Sequence, residues 1–296
     1  MIFLLHGVTI EPISIANPVG SLFSLFVEST WRMAGRESLL ASHLFQVLNP
    51  PTRRLLLRCG VKSQQIQVVD LGIDYGRYRT SRNDSTFRIV YLGRLNNRQK
   101  GAARLSRLAE FVSKLDSEDI RMEIIGSGES AAHFNRMRLK NVSYLGFVRE
   151  EEKCSSLATA NLMISLSYVE PFSFSVVEGL ASGLPVVSTS VSGPQSIVGR
   201  DKSFGKLTTM RDRDLIAAIL AYYDRWKGDK EEYYLGKLRR RADSERFFNQ
   251  ESMFLHFRDL VNSAGSGSIE LASPPLEGSE FRTKYLERKQ GGENQP

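Results

Sequence analysis

Two glutamates, Glu170 and Glu178, stand eight positions apart in the run Glu170-Pro171-Phe172-Ser173-Phe174-Ser175-Val176-Val177-Glu178. The apolar spacing predicts a helix over 174–182, with Ser173 as its N-cap. Glu170 then lies in the loop before the helix and Glu178 about a turn inside it. Both can face the cleft at the carboxyl ends of the strands, where open α/β sheets bind ligands. The helix start adds free N–H groups and partial positive charge, which suit a phosphate. A second group is Tyr91-Leu92-Gly93-Arg94-Leu95, followed by Lys100-Gly101. A strand ends at Gly93, Arg94 sits at its tip, and Lys100 follows in the loop entering a helix. Two cations fixed there could clamp a diphosphate. A third group, Ile124-Ile125-Gly126-Ser127-Gly128-Glu129, lacks the third glycine of a dinucleotide fingerprint and lies on the second strand of its unit, so that reading is weak.

The elements that must carry these groups follow from periodicity. Strands are predicted over 88–92, 121–125, 142–145, 162–165, 185–188 and 206–208. Helices are predicted between them over 102–115, 130–139, 150–158, 174–182 and 212–226, with charged amphipathic helices after Lys230. Such alternation argues for a parallel sheet covered by helices on both faces. The first 80 or so residues read as part of another such unit: strand 2–5, helices 19–32 and 51–59, and strand 66–69 leading into Leu71-Gly72-Ile73-Asp74. The polar residues 81–85 read as the linker between units. From Ser263 the composition shifts to Ser, Gly, Pro and charge, which suggests a disordered tail.

The E-x7-E spacing, with Ala181-Ser182-Gly183-Leu184-Pro185-Val186-Val187 behind it, resembles the motif of retaining GT-B glycosyltransferases, the large family-4-like group. Two surface glutamates flanking a helix start are the bland alternative, and the small-residue run with its Pro-Val-Val strand argues against it. The resemblance puts Glu178 on the ribose hydroxyls of a nucleotide and Glu170 on the donor sugar; a carboxylate suits a vicinal diol because it can accept two hydrogen bonds at once. It makes Gly93-Arg94-Leu95 with Lys100-Gly101 the family's G-R-L…K-G signature, whose Arg and Lys stabilise the leaving diphosphate. Gly126 and Gly128 match its G-x-G near the nucleotide. Gly146-Phe147-Val148 matches the strand and loop whose backbone contacts the base, and Phe172, Ser173 and Phe174 line the donor at the helix start. His6, ending an N-terminal strand, would face the donor sugar across the cleft. Ser192-Gly193-Pro194 matches a glycine-containing loop, with Gln195-Ser196 replacing the acidic residue usual beyond it. Gly72-Ile73-Asp74 resembles the turn at the domain crossover, with Leu71 in place of Asn.

The implied fold is α/β of GT-B type: a complete C-terminal Rossmann-like donor domain over 83–262, an incomplete N-terminal Rossmann-like acceptor-side domain over 1–82, and a tail over 263–296. The implied reaction moves a sugar of hexosyl type from a nucleoside diphosphate sugar to an acceptor hydroxyl of a glycan, lipid or small molecule, with retention, as in glycan biosynthesis. No cofactor and no metal are expected. Family members normally begin with further strands and a glycine-rich loop, and nothing before Ile2 supplies them. That leaves three readings: a truncated transferase, a partner chain that supplies the missing part, or a non-catalytic subunit that binds donor alone.

Composition narrows little further. The chain has 296 residues, 41% hydrophobic and 25% charged, with net charge +7, which favours anionic partners. Two cysteines without CxxC spacing and four scattered histidines argue against a disulfide framework or zinc, and for a reducing compartment. The opening MIFLLHGV lacks a basic flank and reads as a strand, not a signal peptide. No stretch approaches the roughly 18 apolar residues of a membrane span. The expected location is cytoplasmic, with peripheral membrane contact through 19–26, Arg32 and Arg36 as a further option. Arg239-Arg240-Arg241 suggests a nucleic-acid binder, but no base-stacking motif accompanies it, so no nucleic acid is expected and the run is placed on a solvated helix face.

Overall fold

The computed structural model describes residues 2–5, 44–115 and 117–265. His6, the helix expected over 19–32 and the chain beyond 265 lie outside the described residues.

Two parallel sheets organise the chain. The first has three strands in the order β1 (Ile2–Leu5), β2 (Leu44–Val47) and β3 (Ile66–Val68), with helix α1 (Pro50–Arg58) between the last two. Strand β2 is absent from the sequence reading. It is a four-residue run, LFQV, whose polar Gln46 is itself buried, so it carries no alternation to detect. Asn49 ends it and caps α1: its side chain accepts from Thr52 N at 2.8 Å and donates to the Pro171 carbonyl at 2.9 Å. One short side chain thus both starts a helix and ties the first unit to the Glu170 loop.

The second sheet contains β4 (Phe87–Leu92), β5 (Ile120–Ile125), β6 (Val142–Gly146), β7 (Leu162–Ser165), β8 (Val186–Thr189) and β9 (Gly205–Thr208). Their order is β6-β5-β4-β7-β8-β9, all pairs parallel. Counted from β4 this is 3-2-1-4-5-6, the doubly wound order, and the winding reverses between β4 and β7. The intervening helices are α2 (Asn97–Lys100), α3 (Ala102–Lys114), α4 (Ala131–Arg136), α5 (Glu150–Thr159), α6 (Phe174–Ala181), α7 (Ser192–Val198) and α8 (Asp212–Gly228). Two apolar clusters cover the two faces. Leu105, Leu108, Val112, Leu215, Ile219 and Trp226 of α3 and α8 pack on one; Leu157, Val176, Val177, Leu180 and Ile197 of α5, α6 and α7 pack on the other.

Helix α7 occupies the place read as a glycine-containing loop. Its Pro194 sits in the first turn, where the missing N–H costs nothing. Residues 81–85 lack regular structure, as a linker should, but they are docked. Ser81 N donates to Ala158 O, Asn83 Nδ2 to Thr159 O, and the Trp226 indole to Asn83 O.

Helices α9 (Lys230–Phe248) and α10 (Gln250–Gly265) complete the described chain. Helix α10 runs through Ser263 to Gly265, where composition suggested an unstructured tail from Ser263 onward. The arginine run on α9 also differs from expectation. Arg240 donates to Gly183 O and Ser203 O, and Arg241 to Ala181 O and Tyr75 O. Only Arg239 keeps to the surface, paired with Glu232. Arg240 and Arg241 face the C-terminal end of α6, where a cation meets unpaired carbonyls and the negative end of the helix dipole. Periodicity alone could not show this, because the attraction comes from a helix some 60 positions away. Among the described residues no helix is long and apolar enough to cross a membrane.

Candidate functional site

The loops after β4 and β7 flank the point where the winding reverses, and the residues singled out in the sequence converge there. Strand β4 ends into Gly93-Arg94-Leu95, which lies against the loop after β5. Gly93 N donates to Ile125 O at 3.1 Å and Leu95 N to Ser127 O at 2.9 Å. The approach is close enough to require glycine: a Cβ on Gly126 (φ +141°) would lie 1.9 Å from the Gly93 carbonyl oxygen, and one on Gly128 (φ +152°) 2.7 Å from that of Leu95. The G-x-G therefore packs two loops together and fixes the backbone that carries Arg94. Arg94 is exposed and donates to the Gln99 side chain at 2.8 Å, while buried Tyr91 donates its hydroxyl to Arg94 O at 3.0 Å.

Helix α2 brings Lys100 into the site. Asn96 caps it by accepting from Gln99 N and Lys100 N, and Gly101 ends it at φ +70°. A Cβ on Gly101 would meet Leu166 O at 2.5 Å, and Gln99 O accepts from Tyr168 N at 2.7 Å. This seats α2 on the loop after β7, and Lys100 Nζ pairs directly with Glu170 Oε2. Ser167 adds a donor to the same oxygen at 3.4 Å. Glu170 is only 7% exposed, and a carboxylate so enclosed needs a counter-charge. Its carbonyl accepts from Gly193 N at 2.7 Å at the start of α7, where a Cβ would intrude to 2.6 Å. That contact is the structural role of Ser192-Gly193-Pro194.

Helix α6 begins as expected, with Ser173 at the N-cap position, but the Ser173 side chain makes no capping bond; its Oγ lies 3.3 Å from Ser175 Oγ. Phe172 is buried, edge-on to Phe174 and Phe248, while Phe174 is half exposed at the helix start. Glu178 projects from α6 towards α5. Its Oε1 accepts from Tyr78 OH at 2.8 Å and pairs with Lys153 Nζ at 2.6 Å. Lys153 also holds Glu150 at 2.8 Å. Burial opposes its charge, but the hydrogen bonds to Glu150 and Glu178 outweigh that and raise its pKa. Burial, then the Glu178 charge, pushes the Tyr78 hydroxyl well above the usual tyrosine range, so it stays a donor. Neither Tyr78 nor Lys153 was legible as a site residue: they lie 100 and 25 positions from Glu178.

Strand β6 ends in Gly146, whose carbonyl accepts from Gly126 N at 2.8 Å, which places the Gly146-Phe147-Val148 loop beside the G-x-G. Val148 packs into the core, whereas Phe147 is 88% exposed and touches no core cluster. Among the described residues no three His, Cys, Asp or Glu side chains gather as a metal site.

Residues 86–225 match the family model of glycosyl transferases group 1. The chain is 27% identical over 205 residues to an MMP alpha-(1→4)-mannosyltransferase of Mycolicibacterium hassiacum, covering 66% of this chain and 47% of that one. It is 30% identical over 115 residues to an uncharacterized glycosyltransferase of Methanocaldococcus jannaschii, covering 37% and 29%. The chain thus spans about half the length of the first of these curated relatives and less of the second. Among solved structures, HepE of Anabaena in complex with UDP superposes with a TM-score of 0.69 at 19% identity, over 88% of this chain and 72% of that one. Sucrose-phosphate synthase of Thermosynechococcus elongatus superposes with 0.65 at 20% identity, over 81% and 63%. The segment that matches the group 1 glycosyl transferase model spans the whole of the site-bearing sheet, and the chain has the GT-B fold.

Proposed function

We propose that the second sheet and its loops bind a nucleoside diphosphate sugar, and that the protein transfers the sugar to an acceptor hydroxyl with retention of configuration. The observation that carries this is the meeting of Lys100 with Glu170 beside Arg94, at the reversal of winding, with Glu178 on the next helix. The hard step is cleavage of the bond between the anomeric carbon and the diphosphate oxygen, whose electron pair leaves with the diphosphate. Arg94, Lys100 and the first N–H groups of α6 take up that charge. Glu170 orients the sugar through its hydroxyls. The acceptor oxygen bonds to the anomeric carbon on the face the diphosphate leaves, and its proton passes to the departing diphosphate. Glu178 holds the ribose. His6 remains in this reading as the group facing the sugar from the first unit. The relatives whose names or complexes include a mannosyltransferase, UDP and UDP-glucose support a nucleotide-sugar donor.

Isothermal calorimetry with UDP, GDP and ADP, and their sugar conjugates, tests the reading. One nucleotide should bind, and Glu178→Ala should weaken that binding about tenfold or more with the fold intact by circular dichroism. If no nucleotide binds the folded wild-type protein, the proposal fails. Product formation with the bound donor then separates transfer from donor binding alone.

A further inference from the structure

Tyr78 and Lys153 both act on one oxygen of Glu178. Tyr78 OH and Lys153 Nζ fill Oε1, at 2.8 and 2.6 Å, while Oε2 has no partner among the described residues. Lys153 is held in place from behind: its ammonium also binds Glu150 Oε2 at 2.8 Å, and Arg77 lies 3.5 Å from that carboxylate. The Lys153 charge sits 5.8 Å from the centre of the Tyr78 ring. Arg77 and Tyr78 are neighbours in the segment leaving the first unit, so a closed chain of contacts runs from that segment through α5 to α6 and back.

We infer that Tyr78 and Lys153 are positioning residues that fix the Glu178 carboxylate with only Oε2 open, so that this site grips a single ribose hydroxyl of the nucleotide. The inference rests on Glu178 being the ribose-binding residue. A freely turning carboxylate offers both oxygens to a vicinal diol. One whose Oε1 is already filled by a hydroxyl and an ammonium presents Oε2 in a set direction, and a fixed acceptor discriminates between neighbouring hydroxyls. Lys153 has one further proton to donate, but Glu150 and Glu178 hold it back from the ligand.

The test uses whichever of UDP, GDP and ADP binds, together with its 2′-deoxy and 3′-deoxy forms, measured by calorimetry. In the wild-type protein one deoxy form should bind about tenfold more weakly and the other within about twofold, as expected for loss of one hydrogen bond to a charged group. Tyr78→Phe and Lys153→Met should each weaken the ribonucleotide about three- to tenfold while leaving the poorly bound deoxy form unchanged. Lys153→Arg, which keeps the charge, should recover part of the loss. In a Glu178→Ala background Lys153→Met should have no further effect. Equal losses for both deoxy forms, equal weakening of all three ligands by the variants, or wild-type affinity in both variants would each overturn the inference while leaving Glu178 as a nucleotide ligand. Failure of the wild-type protein to bind any nucleotide would instead remove the reading of the site on which the inference stands.

Discussion

Replacing Gly126 by alanine tests whether the G-x-G serves the Arg94 loop. At φ +141° the position favours glycine, and the new Cβ would fall 1.9 Å from Gly93 O and 2.9 Å from Gly93 C. Real Cβ contacts do not go below 3.0 Å, so the loops must part by more than an ångström. The backbone is pinned on each side, by Gly93 N to Ile125 O, Leu95 N to Ser127 O and Gly126 N to Gly146 O. Parting them weakens one or two of these bonds and adds backbone strain, a cost of about 2–5 kcal/mol. A domain with about 5–15 kcal/mol in hand can still fold after that loss. Arg94 moves with Gly93, and a shift of about 1 Å in a charge-stabilising group can cost about a hundredfold in rate. Gly60→Ala is the control: its φ is +93°, yet nothing lies within 4 Å of the added Cβ. It should cost about 1 kcal/mol and leave the site untouched. Urea unfolding and nucleotide calorimetry on both variants decide the matter. Equal losses of stability, with unchanged affinity in both, would refute the close-approach argument.

Other consequences follow from the same contacts. Lys100→Met should destabilise the protein more than the double variant Lys100→Met with Glu170→Gln, with a coupling of about 1–3 kcal/mol, because the single change strands a buried carboxylate; additive effects in thermal unfolding would contradict this. Arg241→Ala should cost about 2–4 kcal/mol through the lost bonds to Ala181 O and Tyr75 O, and Arg241→Lys should restore less than half, since Nη1 and Nη2 reach the two carbonyls from separate atoms whereas an ammonium donates from one point. Burial pushes the Lys237 amine down from 10.5 to about 7. Between those values the unfolded chain binds the extra proton, so stability should rise with pH through that window; Lys237→Met should abolish the slope in urea titrations at pH 7 to 10.

The sheet bearing the site was legible because its strands are short apolar runs separated by periodic helices, and β4, β5 and β7 begin within a residue of the expected positions. The placement of the candidate residues was legible where it depends on local spacing: Glu170 and Glu178 around a helix start, Arg94 at a strand tip, and Lys100 before a helix. Contacts set by tertiary packing were not. Strand β2 has too few residues to show a period, and α7 carries Gly193 and Pro194 in its first turn, which read as loop chemistry. The second and third arginines of the α9 run looked solvated because nothing in their own neighbourhood reveals the carbonyls of α6 opposite them. Tyr78 and Lys153 are invisible for the same reason: each acquires its role from a carboxylate far along the chain.

The two glutamates illustrate how such a site tolerates its own charge. Each comes from a different part of the motif and each is met by a lysine from another element, Lys100 from α2 and Lys153 from α5. A half-buried carboxylate without such a partner would be costly or would take up a proton. Pairing gives each carboxylate a counter-charge, and each lysine leaves its partner one oxygen without a bond among the described residues. The difference lies in what holds the lysine. Lys153 is tied by a second carboxylate, Glu150, and stays with the protein. Lys100 has no second acid among the described residues, so in the proposed reaction its two spare donors would meet the arriving diphosphate while it remains on Glu170. The same pairing therefore gives Glu178 a lysine tied on two sides and Glu170 a lysine tied on one.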